Sequence, residues 1–230
     1  RVIERQPLGS NIRWLAAANL AIKPLWFVFL LVSARLLGAD EFGRTMLALS
    51  FVSLLAVVLD GGVDIHVIRR LSAEPAAYPR LAAHSFTLRV LSAVAVALVT
   101  LALAGFRGVV PVGPALILPA LAFVLFNNLL GHARALFRAF EVMRFEALSM
   151  VVEKGAVLAL CLGPLLLAPR AENYLFAYAL AYAAAAAVTL LVARRALGPV
   201  RGPVGPGELW RGVLRPALPF ALMNVFTIVY

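Results

Sequence analysis

The chain has 230 residues, 63% hydrophobic and 14% charged, with a mean hydropathy of +0.95. A soluble domain runs near ~45–50% apolar and ~25% charged, so a globule covered by polar surface is excluded. Its 19 Arg and 2 Lys give a net charge of +10, but they are spread between long apolar runs rather than gathered on one polar face, which excludes a nucleic-acid-binding surface.

Six complete apolar spans are expected, at about 14–36, 45–66, 86–106, 112–133, 147–168 and 173–193. Each is long enough for the roughly 20 residues that a crossing helix needs. A seventh starts near 213. The runs are Leu- and Ala-rich without period-2 alternation, and an open sheet edge cannot face lipid. The expected fold class is therefore all-α, a polytopic transmembrane helix bundle. Turn residues separate the spans: Gly38-Ala39-Asp40, Glu74-Pro75, Gly108 to Pro114, Gly163-Pro164 and the stretch Gly198–Gly207.

Orientation follows from the short loops. Fourteen arginines fall on the side of the N-terminus, among them Arg69, Arg70, Arg138, Arg144, Arg194 and Arg195. Only Arg35, Arg44, Arg107 and Arg170 fall on the other. A cytoplasmic N-terminus is expected. Arg5 to Arg13 lead into a full-length span, so no cleaved signal peptide is read there. The start at Arg1 and the stop at Tyr230 inside an apolar run point to the N-terminal part of a longer protein.

One cysteine, Cys161, excludes an internal disulfide, and His66, His84 and His132 fall in no metal-binding or triad spacing. No phosphate-cradling Gly-rich loop or nucleophile elbow is present. The chemistry must lie in ionisable residues within the spans, which are costly there and functional by default. Lys23 stands near the middle of the first span. Asp60 and Asp64, one turn apart, share a face of the second. Lys23 and Asp60 differ in depth by only ~5 Å and are placed to pair. Arg89 lies one turn inside the third span, and Glu153 and Lys154 two turns inside the fifth.

Lys154 and Arg89 can also reach headgroups by snorkelling, and the Lys23–Asp60 pair can simply join helices. Asn127 and Asn128 suit interhelical hydrogen bonds better than a cavity wall. Tyr174, Tyr178 and Tyr182 repeat every four residues, as a buried face or as stacking surfaces for sugar rings. Ala177, Ala181 and Ala185 form a packing stripe. The segment Ala133–Arg144 reads as an amphipathic continuation of the fourth helix, with Arg134, Arg138 and Glu141 on a solvated side.

Several short motifs recur in order. They are Asn11 before a span with Lys23, then Ala34-Arg35-Leu36-Leu37-Gly38 with Glu41-Phe42-Gly43, then Asp60-Gly61-Gly62 with Arg69-Arg70. Further on come Leu136-Phe137-Arg138-Ala139-Phe140-Glu141 with Met143-Arg144 and Glu146-Ala147, and last Arg215-Pro216-Ala217-Leu218-Pro219-Phe220. Together they resemble the polysaccharide-unit (O-antigen-unit) flippases of the multidrug/oligosaccharidyl-lipid/polysaccharide exporter superfamily. The resemblance implies two six-helix lobes in a V, related as parallel repeats. This chain would supply the first lobe (1–193), a cytoplasmic linker (194–212) and the start of the seventh helix (213–230).

It also implies alternating-access flipping of an undecaprenyl-pyrophosphate-linked oligosaccharide across a bacterial inner membrane, for surface polysaccharide such as lipopolysaccharide. The expected partners are that lipid-linked oligosaccharide, membrane lipids and a polysaccharide polymerase machinery, with no nucleic acid. No cofactor or metal is expected, and a coupling proton or sodium ion is left open. Lys23, Asp60, Asp64, Arg89, Asn127 and Tyr178 are the expected cavity residues, and no catalytic residue is expected. The alternatives are a cation-coupled multidrug exporter, which would use Asp60 and Asp64, and a membrane-embedded glycosyltransferase or ligase, which would need larger external loops. A structural membrane protein would have no use for Lys23 at the midplane.

Overall fold

The computed structural model describes residues 7–60, 62–104, 112–200 and 205–216. The elements are α1 (Leu8–Asp60), α2 (Val63–Ala73), a 3-10 turn (Pro75–Ala77), α3 (Tyr78–Ala104), α4 (Pro114–Ala139), α5 (Met143–Leu167), α6 (Ala171–Leu197) and α7 (Pro206–Leu209), which runs into a π turn at Trp210–Leu214. No strand occurs among the described residues. Five of these segments are long and apolar enough to cross a membrane.

The first of the five, Gly9–Ala56, is two crossings joined at Gly38. Gly38 has φ 77° and ψ 168°, a region that only glycine occupies readily. The contacts on either side show the reversal. At one end Asn11 Nδ2 donates to the Glu141 carbonyl at 2.9 Å, and its Oδ1 accepts the Met143 N–H at 3.2 Å, which ties α1 to the turn between α4 and α5. At the opposite end Glu41 accepts the N–H of Ala171, the first residue of α6, at 2.7 Å. From there residues 39–60 run back, with Ala48 and Val52 packed among Leu116, Ala120 and Leu175. Among the described residues six antiparallel crossings result, one for each expected span, but the helices run past the expected bounds: α3 begins at Tyr78 rather than near 86, α4 ends at Ala139 rather than near 133, and α6 ends at Leu197 rather than near 193.

Glu41 lies at the reversal just after Gly38, between the expected spans 14–36 and 45–66. The Ala171 N–H, then the nearby Arg44 guanidinium, holds its carboxyl below the ordinary carboxylate range. Arg44 pairs with it at 2.9 Å and reaches Glu172 at 3.4 Å.

Two expectations are corrected by breaks in the helices. The second crossing is not continuous: α1 stops at Asp60, Gly62 adopts the left-handed conformation (φ 66°), and α2 restarts at Val63. Asp60 and Asp64 therefore cannot be assigned one face by helical spacing, and the Asp60 side chain lies outside the described residues. Likewise α4 does not continue as an amphipathic helix. It ends at Ala139, Glu141 turns the chain at φ 58°, and α5 begins at Met143.

Apolar side chains cover the outside as well as the core. Leu20, Phe27, Leu98 and Phe176 are all more than half exposed, as expected where lipid replaces water. Inside, α6 approaches α4 and α5 closely because Ala177, Ala181 and Ala185 are small and buried, and Leu130, Val157 and Cys161 close against that stripe. Tyr174, Tyr178 and Tyr182 are buried in the same cluster. Phe123 lies 4.7 Å from the Tyr182 ring centre and 5.1 Å from that of Tyr178.

Candidate functional site

The side of α4 that carries Asn127, Gly131, Arg134 and Arg138 follows helical spacing, with each residue three or four positions after the last. Two guanidiniums on a crossing helix cannot be left facing hydrocarbon, and α5 supplies their partners. Arg134 donates from Nε to the Ser149 hydroxyl at 2.7 Å and from Nη2 to Glu153 at 2.6 Å. Arg138 donates from Nε to Glu146 at 2.8 Å and from Nη2 to the same oxygen at 2.5 Å. The side that sequence assigns to solvent is thus an ion-pair seam between two helices.

Glu153 is the hub. It is 4% exposed, and both of its oxygens are used. One takes Arg134, and the other takes the Lys154 ammonium at 2.5 Å and the Tyr182 hydroxyl at 2.7 Å. Lys154 does not reach toward either end of the bundle. Its nitrogen sits 3.8 Å from the Trp26 ring centre, where the face of the indole attracts a cation. Glu153 lies ~15 Å along α5 from Met143, about half the hydrocarbon thickness. Tyr178 joins the hub through its 3.5 Å contact with the Tyr182 hydroxyl.

A second cluster joins α2, α3 and α4. Asp64 pairs with Arg89 at 2.8 Å and with His132 Nδ1 at 3.2 Å. The other His132 nitrogen lies 3.1 Å from the Ser85 hydroxyl, which also donates to the Leu81 carbonyl at 2.8 Å. Arg89 and His132 are almost fully enclosed, whereas the Asp64 side chain is 31% exposed. That exposure leaves Asp64 as the open edge of the cluster. Among the described residues no group of three or more His, Cys, Asp or Glu side chains has the arrangement of a metal site.

The expected site residues therefore separate. Asp64 and Arg89 meet directly. Tyr178 is buried behind Trp26 and Phe123 as part of an aromatic stack rather than presented as a surface for sugars. Asn127 is exposed, two turns from Arg134 on the same side of α4. Lys23 is exposed on α1, one turn before Trp26, and has no ionic partner among the described residues. Sequence reading missed Arg134, Glu153, Tyr182, His132 and Trp26 as a set, because each has an ordinary role when taken alone. The available signal was the density of ionisable groups near the N-terminal side of the spans.

Fold and site together define a multi-pass helical membrane protein whose interior carries a buried ion-pair seam. Residues 8–230 match the family described as polysaccharide biosynthesis protein, and the chain belongs to that family. No curated protein and no solved structure matches it. The family membership agrees with the resemblance carried by the motifs around Gly38, Arg138 and Arg215.

Proposed function

We propose that the protein flips an undecaprenyl-pyrophosphate-linked oligosaccharide across a bacterial inner membrane, by alternating access and without catalysing a bond change. Its N-terminus would be cytoplasmic, and the residues described here would form one six-helix lobe of a two-lobe transporter. Membership of the polysaccharide biosynthesis family supports the substrate class. The observation that carries the mechanism is Lys23. Lys23 is an exposed ammonium on a crossing helix with no ionic partner among the described residues, which leaves its charge available to an anionic headgroup.

A pyrophosphate cannot enter ~30 Å of hydrocarbon unaided. Lys23 supplies a charge for it, while Lys154 one helix away is already held by Glu153 and Trp26. Arg134 and Glu153 join α4 to α5, and Trp26, one turn after Lys23, packs on Lys154 of that same cluster. Asn127 adds a donor for sugar hydroxyls on the same side of α4 as Arg134. The cation-coupled multidrug reading is weaker, because Asp64, one of its two acids, is already engaged by Arg89 and His132.

The test is surface polysaccharide in a strain that lacks its own flippase, with protein abundance measured alongside. Lys23→Ala in the full-length protein is expected to abolish export at normal abundance, and Lys23→Arg to retain part of it. The double change Lys23→Ala with Asp60→Ala is expected to stay inactive. Full export by the double variant would reduce Lys23 to a counter-ion and overturn the assignment.

A further inference from the structure

A groove of about 670 Å³ runs along the outside of the seam between residues 8–37 of α1 and the start of α5, at the arginine-rich end. It exists because its floor is built of Ala17, Ala18, Ala21 and Ala147, which leave room where larger side chains would have filled the seam. Trp14 and Leu148, each about half exposed, form the walls. Behind the floor, Ala18 and Ile22 close on Ala147 and Met150. Ser149 and Glu153 turn the other way, to Arg134 on α4. The groove therefore faces away from the ion-pair seam.

Its lining is almost wholly apolar, but its mouth is not. Arg144 lines it, one residue into α5, with its guanidinium 4.7 Å from the Phe145 ring centre. Arg13, one residue before Trp14, is turned back along α1, its Nε donating to the Gly9 carbonyl at 3.3 Å, so the charge at the mouth is that of Arg144. The nearest acid along α5, Glu146, is buried and taken up by Arg138, so it does not neutralise that mouth. An apolar slot beneath a guanidinium that makes no ion pair among the described residues matches one kind of bilayer component, a lipid with an anionic headgroup.

We propose that this groove is a selective binding site for an anionic phospholipid, with an acyl chain along the four alanines and the phosphate on Arg144. Arg144 reads the headgroup, since its guanidinium pairs with the phosphate and no choline ammonium opposes it in an anionic lipid. The alanine floor reads the chain. Trp14 suits the boundary between them, where an amphipathic ring is favoured. The site is independent of the proposed substrate and stands on the groove and its charge alone.

Native mass spectrometry of the purified full-length protein tests it, with phosphatidylglycerol or phosphatidylcholine of identical chains as the probe. One tightly held phosphatidylglycerol is expected, preferred about fivefold over phosphatidylcholine, the ratio expected from one arginine near an anionic phosphate. Arg144→Gln should erase the preference and Arg144→Lys should keep most of it. Both changes are at an exposed side chain and leave the packed floor intact, so they decide the matter even if floor variants do not fold. Ala17→Leu with Ala21→Leu should lower retention of both lipids. A preference that survives Arg144→Gln overturns the proposal. So does equal retention of the two lipids, or a leucine pair that changes only the oligomeric state, which would make a second copy the occupant.

Discussion

Arg134 on α4 and Glu153 on α5 meet at 2.6 Å, half a bilayer from the nearest end of α5, and two further donors, Lys154 and Tyr182, converge on the same carboxylate. Two cations share one anion, and the aromatic faces of Trp26 and Tyr182 offset part of the excess charge. Removing Glu153 strands both cations in a low-dielectric interior. Glu153→Ala should therefore cost about 3–5 kcal/mol, the range for breaking a buried pair. Thermal unfolding in detergent checks this. Replacing Arg134, Glu153 and Lys154 together by Met should recover most of the loss, because no unpaired charge remains. A single Glu153→Ala variant that unfolds at the wild-type temperature would refute the hub.

Gly38 and Gly43 provide a matched pair on α1. Nothing lies within 4 Å of a Cβ built at either position, so space does not distinguish them. Conformation does. Gly38 holds φ 77° and ψ 168°, where any other residue costs about 1–3 kcal/mol. Gly43 is an ordinary helical glycine, and alanine there should stabilise by ~0.5–1 kcal/mol. Opposite signs for Gly38→Ala and Gly43→Ala, measured by the same unfolding assay, are the expected result.

The proposed orientation is checked by thiol labelling of intact cells. Cysteines at the exposed Ala39 and Ala168 should react with an impermeant reagent from outside, and one at the exposed Ala76 should not. Ala171, three residues after Ala168, is fully buried and a poor reporter. Native Cys161 is also fully buried and should remain unlabelled. Reversed labelling would invert the topology.

The Glu41–Ala171 contact has a pH signature. The carboxyl of Glu41 is held below its ordinary value by the Ala171 N–H, then by Arg44. An unfolded chain then binds more protons than the folded one as acid is added. The contribution of Glu41 is complete above the ordinary carboxylate range, near ~4.3, and is lost as pH falls through its lower folded value. Unfolding followed from pH 7 to pH 3 should show this loss in the wild type and a smaller one in Glu41→Gln. Identical pH profiles would remove the contact from the list of stabilising interactions.

Composition and span length alone determined the helical class, because hydrocarbon leaves the backbone no partner but its own helix. The crossings and the turn at Gly38 were equally legible, since glycine and proline interrupt apolar runs at the ends of spans. Which charges meet was not legible. Asp64 and Arg89 lie in different crossings, and Glu153 takes partners from α4 and α6, so helical spacing along any one of them says nothing about the pairing. The same limit explains Arg134 and Arg138. Their spacing marks a polar side of α4 correctly, but only the packing of α5 decides that carboxylates rather than water cover it. It explains the turn at Glu141 as well, where a non-glycine residue holds φ 58° and the Asn11 amide ties the chain, whereas the break at Gly62 uses a left-handed glycine that the sequence itself supplies. Sequence placed the charges along their helices. Their partners were chosen by the packing of six helices, which is set by long-range contacts such as the alanine stripe of α6.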